Sequence, residues 1–163
     1  VLSACGSGTN PAVGEYAAYG VPDSCVRTRA TETGPMDLDH SCDLSLSIVE
    51  AAGGGLDLTL TVPEDTSVNG VTCTAHIDGP GPDYTIATPS CALAYTDLIG
   101  PRGCFPNATF SPMRVTLGAG ETPTATVAVA LTLGDAPNRG RCLTDEARMA
   151  LSWSATLPRA ATP

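Results

Sequence analysis

From position 44 onward, apolar and polar residues alternate with a period of two, the spacing at which successive side chains of a strand point to opposite faces of a sheet. Leu44, Leu46 and Ile48 alternate with Ser45 and Ser47, and Leu56, Leu58, Leu60 and Val62 alternate with Asp57, Thr59 and Thr61. Gly53-Gly54-Gly55 between these stretches predicts a hairpin or a loose bend. Val71, Cys73, Ala75 and Ile77 repeat the pattern against Thr72, Thr74 and His76, entered from the turn-forming pair Asn69-Gly70 and left through Asp78-Gly79-Pro80-Gly81-Pro82. Cys73 falls on the inward face of that strand. Short strands are expected at residues 84–87 and 92–98, and residues 100–112, with three prolines, read as a loop.

The last third carries the strongest alternation. Met113, Val115 and Leu117 lead through Gly118-Ala119-Gly120-Glu121 into Ala125, Val127, Val129, Leu131 and Leu133, which predicts two strands joined by a short loop. Met149, Leu151, Trp153, Ala155 and Leu157 form the inward side of a final strand, and Trp153, the one tryptophan, is its largest apolar side chain. Helix signals are confined to a turn at residues 143–148 with Thr144 as N-cap. Seven to nine short strands without crossover helices exclude a parallel sheet. They predict an all-β fold: a two-sheet antiparallel Greek-key (immunoglobulin-like) sandwich, stabilised by disulfides. Residues 25–163 form the single sandwich domain of this reading. Residues 1–24, rich in Gly, Ala, Pro and Ser with apolar islands at Val13, Tyr16 and Tyr19, read as a flexible arm or tether.

A chain of 163 residues is the size of one domain. Its net charge of −9 and its eight basic residues, all arginine, argue against nucleic acid and against anionic membrane surfaces as partners. No apolar run is long enough to insert in a membrane. Seven dispersed cysteines, with no CxxC and only two histidines, argue against zinc and haem sites and for a disulfide framework in an extracellular or cell-surface setting. Fifteen pairings of Cys25, Cys42, Cys73, Cys91, Cys104 and Cys142 are open. The set that joins sequence neighbours, Cys25 with Cys42, Cys73 with Cys91 and Cys104 with Cys142, is preferred. Cys5 stands apart in Leu2-Ser3-Ala4-Cys5, which resembles a bacterial lipobox. The alternatives are a lipid anchor at Cys5 or a disulfide, within the chain or between subunits.

No catalytic constellation emerges, and no cofactor or metal is expected. His40 lies among Asp37, Asp39 and Asp43, an order that matches neither an EF-hand loop nor a metalloprotease helix, so a solvated acidic loop is the preferred reading. His76 falls on the polar face of its strand, as a solvated histidine does. Asp78 and Asp83 bracket a Gly/Pro turn, and Asn107-Ala108-Thr109 fits the N-glycosylation sequon, a site only in a host that modifies it.

Residues 114–122, Arg-Val-Thr-Leu-Gly-Ala-Gly-Glu-Thr, followed by Thr124-Ala125-Thr126-Val127-Ala128-Val129, resemble the strand-turn-strand of bacterial immunoglobulin-like surface domains. Residues 131–138, the basic turn through Cys142 and residues 150–156 resemble the end of TasA/camelysin-like secreted proteins. That resemblance implies extracellular matrix or filament subunits, some linked by a donated N-terminal strand, whereas the Gly/Pro-rich start of this chain departs from the family's aromatic-Ser-Asp beginning. The expectation is a non-catalytic extracellular structural or adhesive protein that associates with itself or with another surface protein. The alternative is a monomeric secreted or lipid-anchored module that captures a ligand or protein through its loops.

Overall fold

The computed structural model describes residues 10–18, 25–31, 34–37, 43–62, 71–79, 81–93, 107–118, 122–134 and 149–161. Among the described residues there is no helix and the strands are β1 (Gly14–Ala18), β2 (Cys25–Thr31), β3 (Gly34–Asp37), β4 (Leu44–Glu50), β5 (Leu56–Val62), β6 (Val71–Ile77), β7 (Asp83–Ile86), β8 (Ser90–Leu93), β9 (Asn107–Phe110), β10 (Met113–Gly118), β11 (Thr124–Gly134) and β12 (Met149–Pro158). The order β1-β4-β5-β6-β8 makes sheet A, and β3-β2-β12-β11-β10-β7 makes sheet B, with β9 also paired to β11. Every pairing is antiparallel. The protein is therefore all-β with two antiparallel sheets, as the alternation predicts.

Each sheet is built around three strands consecutive in the chain, β4-β5-β6 and β10-β11-β12, in which period-two patterning fixes both register and face. Leu44, Leu46, Ile48, Leu56, Leu58, Leu60 and Val62 from sheet A are buried in one core with Met113, Val115, Val127, Val129, Leu131, Trp153 and Leu157 from sheet B. Burial of each such side chain stabilises the fold by about 1.5–3 kcal/mol relative to exposure. The opposite faces are lined with hydroxyls. Ser47, Thr59, Thr74 and Ser90 follow one another across sheet A, and Thr116, Thr126 and Thr156 across sheet B, where the last two share a 3.0 Å hydrogen bond.

The β4–β5 hairpin closes where Ala51 N–H donates to Gly55 O at 3.2 Å and Gly54 N–H to Ala51 O at 3.0 Å. Gly55 adopts φ +76°, and a Cβ there would lie 2.6 Å from Ile77 O, so both conformation and space require glycine. Cys73 and Cys91 face each other across β6 and β8 and form a disulfide, the expected pairing. It closes a separation of 18 residues, which in the chain-entropy picture destabilises the unfolded state by about 3 kcal/mol. Cys5, Cys42, Cys104, Cys142 and the side chain of Cys25 lie outside the described residues, as do residues 135–148 with the expected helical turn.

Four strands were hidden from the alternation argument. Residues 100–112, expected as a loop, contain β9, and Phe110 packs against the core. Ser111-Pro112 interrupts the edge between β9 and β10, both of which pair with β11. There Ser111 N–H donates to Ala130 O at 2.8 Å and Ala130 N–H donates to Ser111 Oγ at 3.0 Å, which restores the ladder beside a proline that has no N–H. β2 and β3 lack an apolar alternation and are set by pairing, β2 along β12 and β3 along β2. β1 lies within the stretch read as an arm, and Tyr16, only 1% exposed, carries it into the core.

Candidate functional site

Two ties between the sheets, and a cleft between them, meet at the end of the sandwich where β1 begins and β6 finishes. The first tie is a seam. After β12 the chain leaves sheet B, and Arg159 makes a bridge to Tyr16 of sheet A. Arg159 N–H still donates to Pro123 O at 2.9 Å, while Ala160 N–H donates to Glu15 O at 2.7 Å, so two successive residues span both sheets. The Arg159 guanidinium donates to Val13 O and, at 3.4 Å, to Pro11 O. A Cβ on Gly14 would lie 2.6 Å from Arg159 Nε, so the guanidinium passes where only glycine leaves room.

Tyr16 completes the seam. Its ring is buried and its hydroxyl donates to Ala12 O at 2.9 Å. Burial pushes its phenol above the ordinary value, partly offset by the Arg159 charge. Ser47 Oγ donates to Glu15 Oε1 at 2.5 Å and Asn10 N–H to Glu50 Oε1 at 3.0 Å, fastening both ends of this segment to β4.

The second tie is a strap, residues 78–82, that carries the chain from β6 in sheet A to β7 in sheet B; residue 80 lies outside the described residues. Its far end is held where Leu117 N–H donates to Pro82 O at 2.9 Å. At its near end His76 stands between two carboxylates, with Nδ1 2.7 Å from Asp57 Oδ1 and Nε2 3.2 Å from Asp78 Oδ1. Hydrogen bonding to Asp57, and then to Asp78 with the charge of both, raises the histidine pKa above its ordinary value. The carboxylates flank opposite edges of the ring and do not converge on one point. Among the described residues no group of three His, Cys, Asp or Glu is placed to hold a metal ion.

Between seam and strap lies a cleft of about 620 Å³. Pro11, Ala12 and Tyr16 form one wall, and Pro82, Tyr84, Leu117 and Pro123 contribute to the rest. Its lining is mainly apolar, with two tyrosine rings and three prolines, the character of a site that takes an apolar or aromatic group. A smaller depression of about 360 Å³ on the outer face of sheet B is lined by Ser111, Pro112, Arg114, Ala128, Ala130, Ser152 and Ser154, next to the interruption between β9 and β10.

Of the residues singled out from sequence, Cys73 and Cys91 are brought together. His76 is exposed on the polar face, as read, and it is paired, which was not foreseen. The period-two rule already sets His76 and Asp78 on one face; only the β5–β6 register brings Asp57 across. Asn107 opens β9 opposite Gly134, and its side chain lies outside the described residues, as do His40 and Asp39. Arg159 and Tyr16 carried no motif. No helix among the described residues is long and apolar enough to cross a membrane. In comparison with known proteins the chain matches no family model, no curated protein and no solved structure.

Proposed function

We propose that the protein is an extracellular β-sandwich with a structural or adhesive role, one that associates with copies of itself or with another surface protein and performs no catalysis. The observation that carries this reading is the construction of sheet A: a disulfide staples its four-residue edge strand β8 to β6, beneath outer faces of serine and threonine ladders. A disulfide of this kind suits an oxidising environment. The short strands β3 and β7, which end the order of sheet B, and β8 in sheet A are the positions at which another chain adds main-chain hydrogen bonds. The immunoglobulin-like and TasA/camelysin-like resemblance of residues 114–156 supports the same class, with the Greek-key arrangement as part of the proposal, and leaves the lipobox reading of Cys5 as a means of attachment. Light scattering across a concentration series, with negative-stain microscopy, tests it. Ordered oligomers or filaments are expected, and a compact monomer at every concentration overturns the self-association.

The cleft favours a second reading, a monomeric module that captures a ligand or a protein surface. On that reading scattering reports a monomer, and an apolar fluorescent probe binds at the cleft and loses affinity when Tyr84 is replaced by Ala.

A further inference from the structure

We propose that His76 is a proton-dependent anchor for the strap, holding its near end to sheet A when the imidazole is protonated and releasing Asp78 when it is neutral. The geometry rests on the inventory of a histidine ring. Both nitrogens face carboxylate oxygens, Asp57 at 2.7 Å and Asp78 at 3.2 Å. An imidazolium donates to both at once. A neutral ring has one N–H, so one carboxylate then faces a lone pair and that contact becomes repulsive. Asp57 sits on β5 directly across from His76 in the ladder, so its position is set by the sheet. Asp78 belongs to the strap, has the longer contact and is 84% exposed, and is therefore the partner that departs.

Among the described residues, the groups that face the ring are few. Asp57 reaches the ring from β5 and Asp78 from the strap, while β4 sets uncharged Val49 across from Asp57 and the β4–β5 turn sets Gly55 close to Nε2. β7, which follows the strap, carries Asp83 opposite Thr116 in sheet B. The strap leads directly from Asp78 to Gly79, Gly81 and Pro82, which line the cleft, and its other end stays tied through Leu117. Deprotonation therefore loosens one end of a segment whose other end is fixed, and the rim of the cleft opposite Pro11, Ala12 and Tyr16 moves with it. The device is independent of what occupies the cleft.

Nuclear magnetic resonance of the full chain tests this across pH 5–9. The His76 ring signals are expected to titrate with a midpoint above the ordinary histidine value, and the Gly79 and Gly81 amides to shift with the same midpoint. In Asp78→Asn the His76 midpoint moves down toward the ordinary value and the glycine amides lose their step. In Asp57→Asn the midpoint also falls, but the glycine amides still follow it. His76→Gln, at an exposed position that leaves the core untouched, removes the step altogether. Glycine amides that do not respond to His76 titration, or that keep the same step in Asp78→Asn or His76→Gln, overturn the proposal.

Discussion

The seam and the strap solve one problem, how to hold two sheets together at an open end of the sandwich, with different chemistry. At the seam the planar guanidinium of Arg159 donates to backbone carbonyls beside a buried tyrosine. At the strap an exposed imidazole, its pKa raised by hydrogen bonding to Asp57 and Asp78, links two exposed carboxylates. The first is a permanent closure and the second responds to conditions. The difference lies in burial: main-chain carbonyls at a half-buried seam need a lasting donor, whereas solvated carboxylates tolerate a partner that comes and goes.

The largest expected effect is at the seam. Tyr16→Ala removes an aromatic ring from the core and should cost about 3–5 kcal/mol, measured by denaturant unfolding with Trp153 fluorescence as reporter. Tyr16→Phe, which keeps the ring and loses only the hydrogen bond to Ala12 O, should cost about 0.5–1.5 kcal/mol. A loss as large as that of the alanine variant would place the energy in the hydroxyl and not in the packing.

Next comes the covalent loop that encloses the strap. The strap and β7 lie between Cys73 and Cys91, so replacing both cysteines by Ala should lower stability by about 2–4 kcal/mol. Hydrogen exchange should then show amides of β8 opening before those of β5. Uniform loss across sheet A would contradict the view of β8 as an edge strand that depends on its staple.

Arg159→Ala should cost about 1.5–3 kcal/mol, because charge-assisted hydrogen bonds to two carbonyls are lost. Arg159→Lys should recover only part of this, since a single ammonium cannot span Val13 O and Pro11 O as a planar fork does. Thermal unfolding of the two variants side by side distinguishes geometry from charge.

The smallest effect is the pH dependence of the strap. Because its carboxylate partners raise the pKa of His76 in the folded state, the favourable pairing is fully present below about 6.5, the unfolded value, and is lost as pH rises through the folded pKa. Stability should therefore decline slightly as pH rises from about 6.5 through the raised folded value, and His76→Gln should flatten that decline. At the seam the sign is the same and the window different. The raised pKa of Tyr16 predicts a loss of stability only as pH climbs above about 10, absent in Tyr16→Phe.

Legibility follows from burial. The inward residues of β4, β5, β6, β10 and β12 that the structure describes are those the alternation selects, since a strand with one dry face must repeat apolar residues every second position. β1 escaped because a single tyrosine carries its anchoring, flanked by small residues that resemble a tether. β9 escaped because prolines on either side of a four-residue strand read as loop. β2 and β3 show no apolar repeat at all, and only their ladders identify them.

Sequence alone determined the all-β class and the inward faces, because each depends on a local period; it left the Gly-rich connection as a hairpin or a loose bend and only preferred Cys73 with Cys91 among fifteen pairings, both of which the structure decided. Tertiary structure decided that β1 lies beside β4, that Arg159 reaches the main chain of residues 11 and 13, and that Asp57 and Asp78 flank His76. Those contacts depend on register and on which sheet each strand joins. Both are settled by long-range packing, which leaves no period and no motif in the chain.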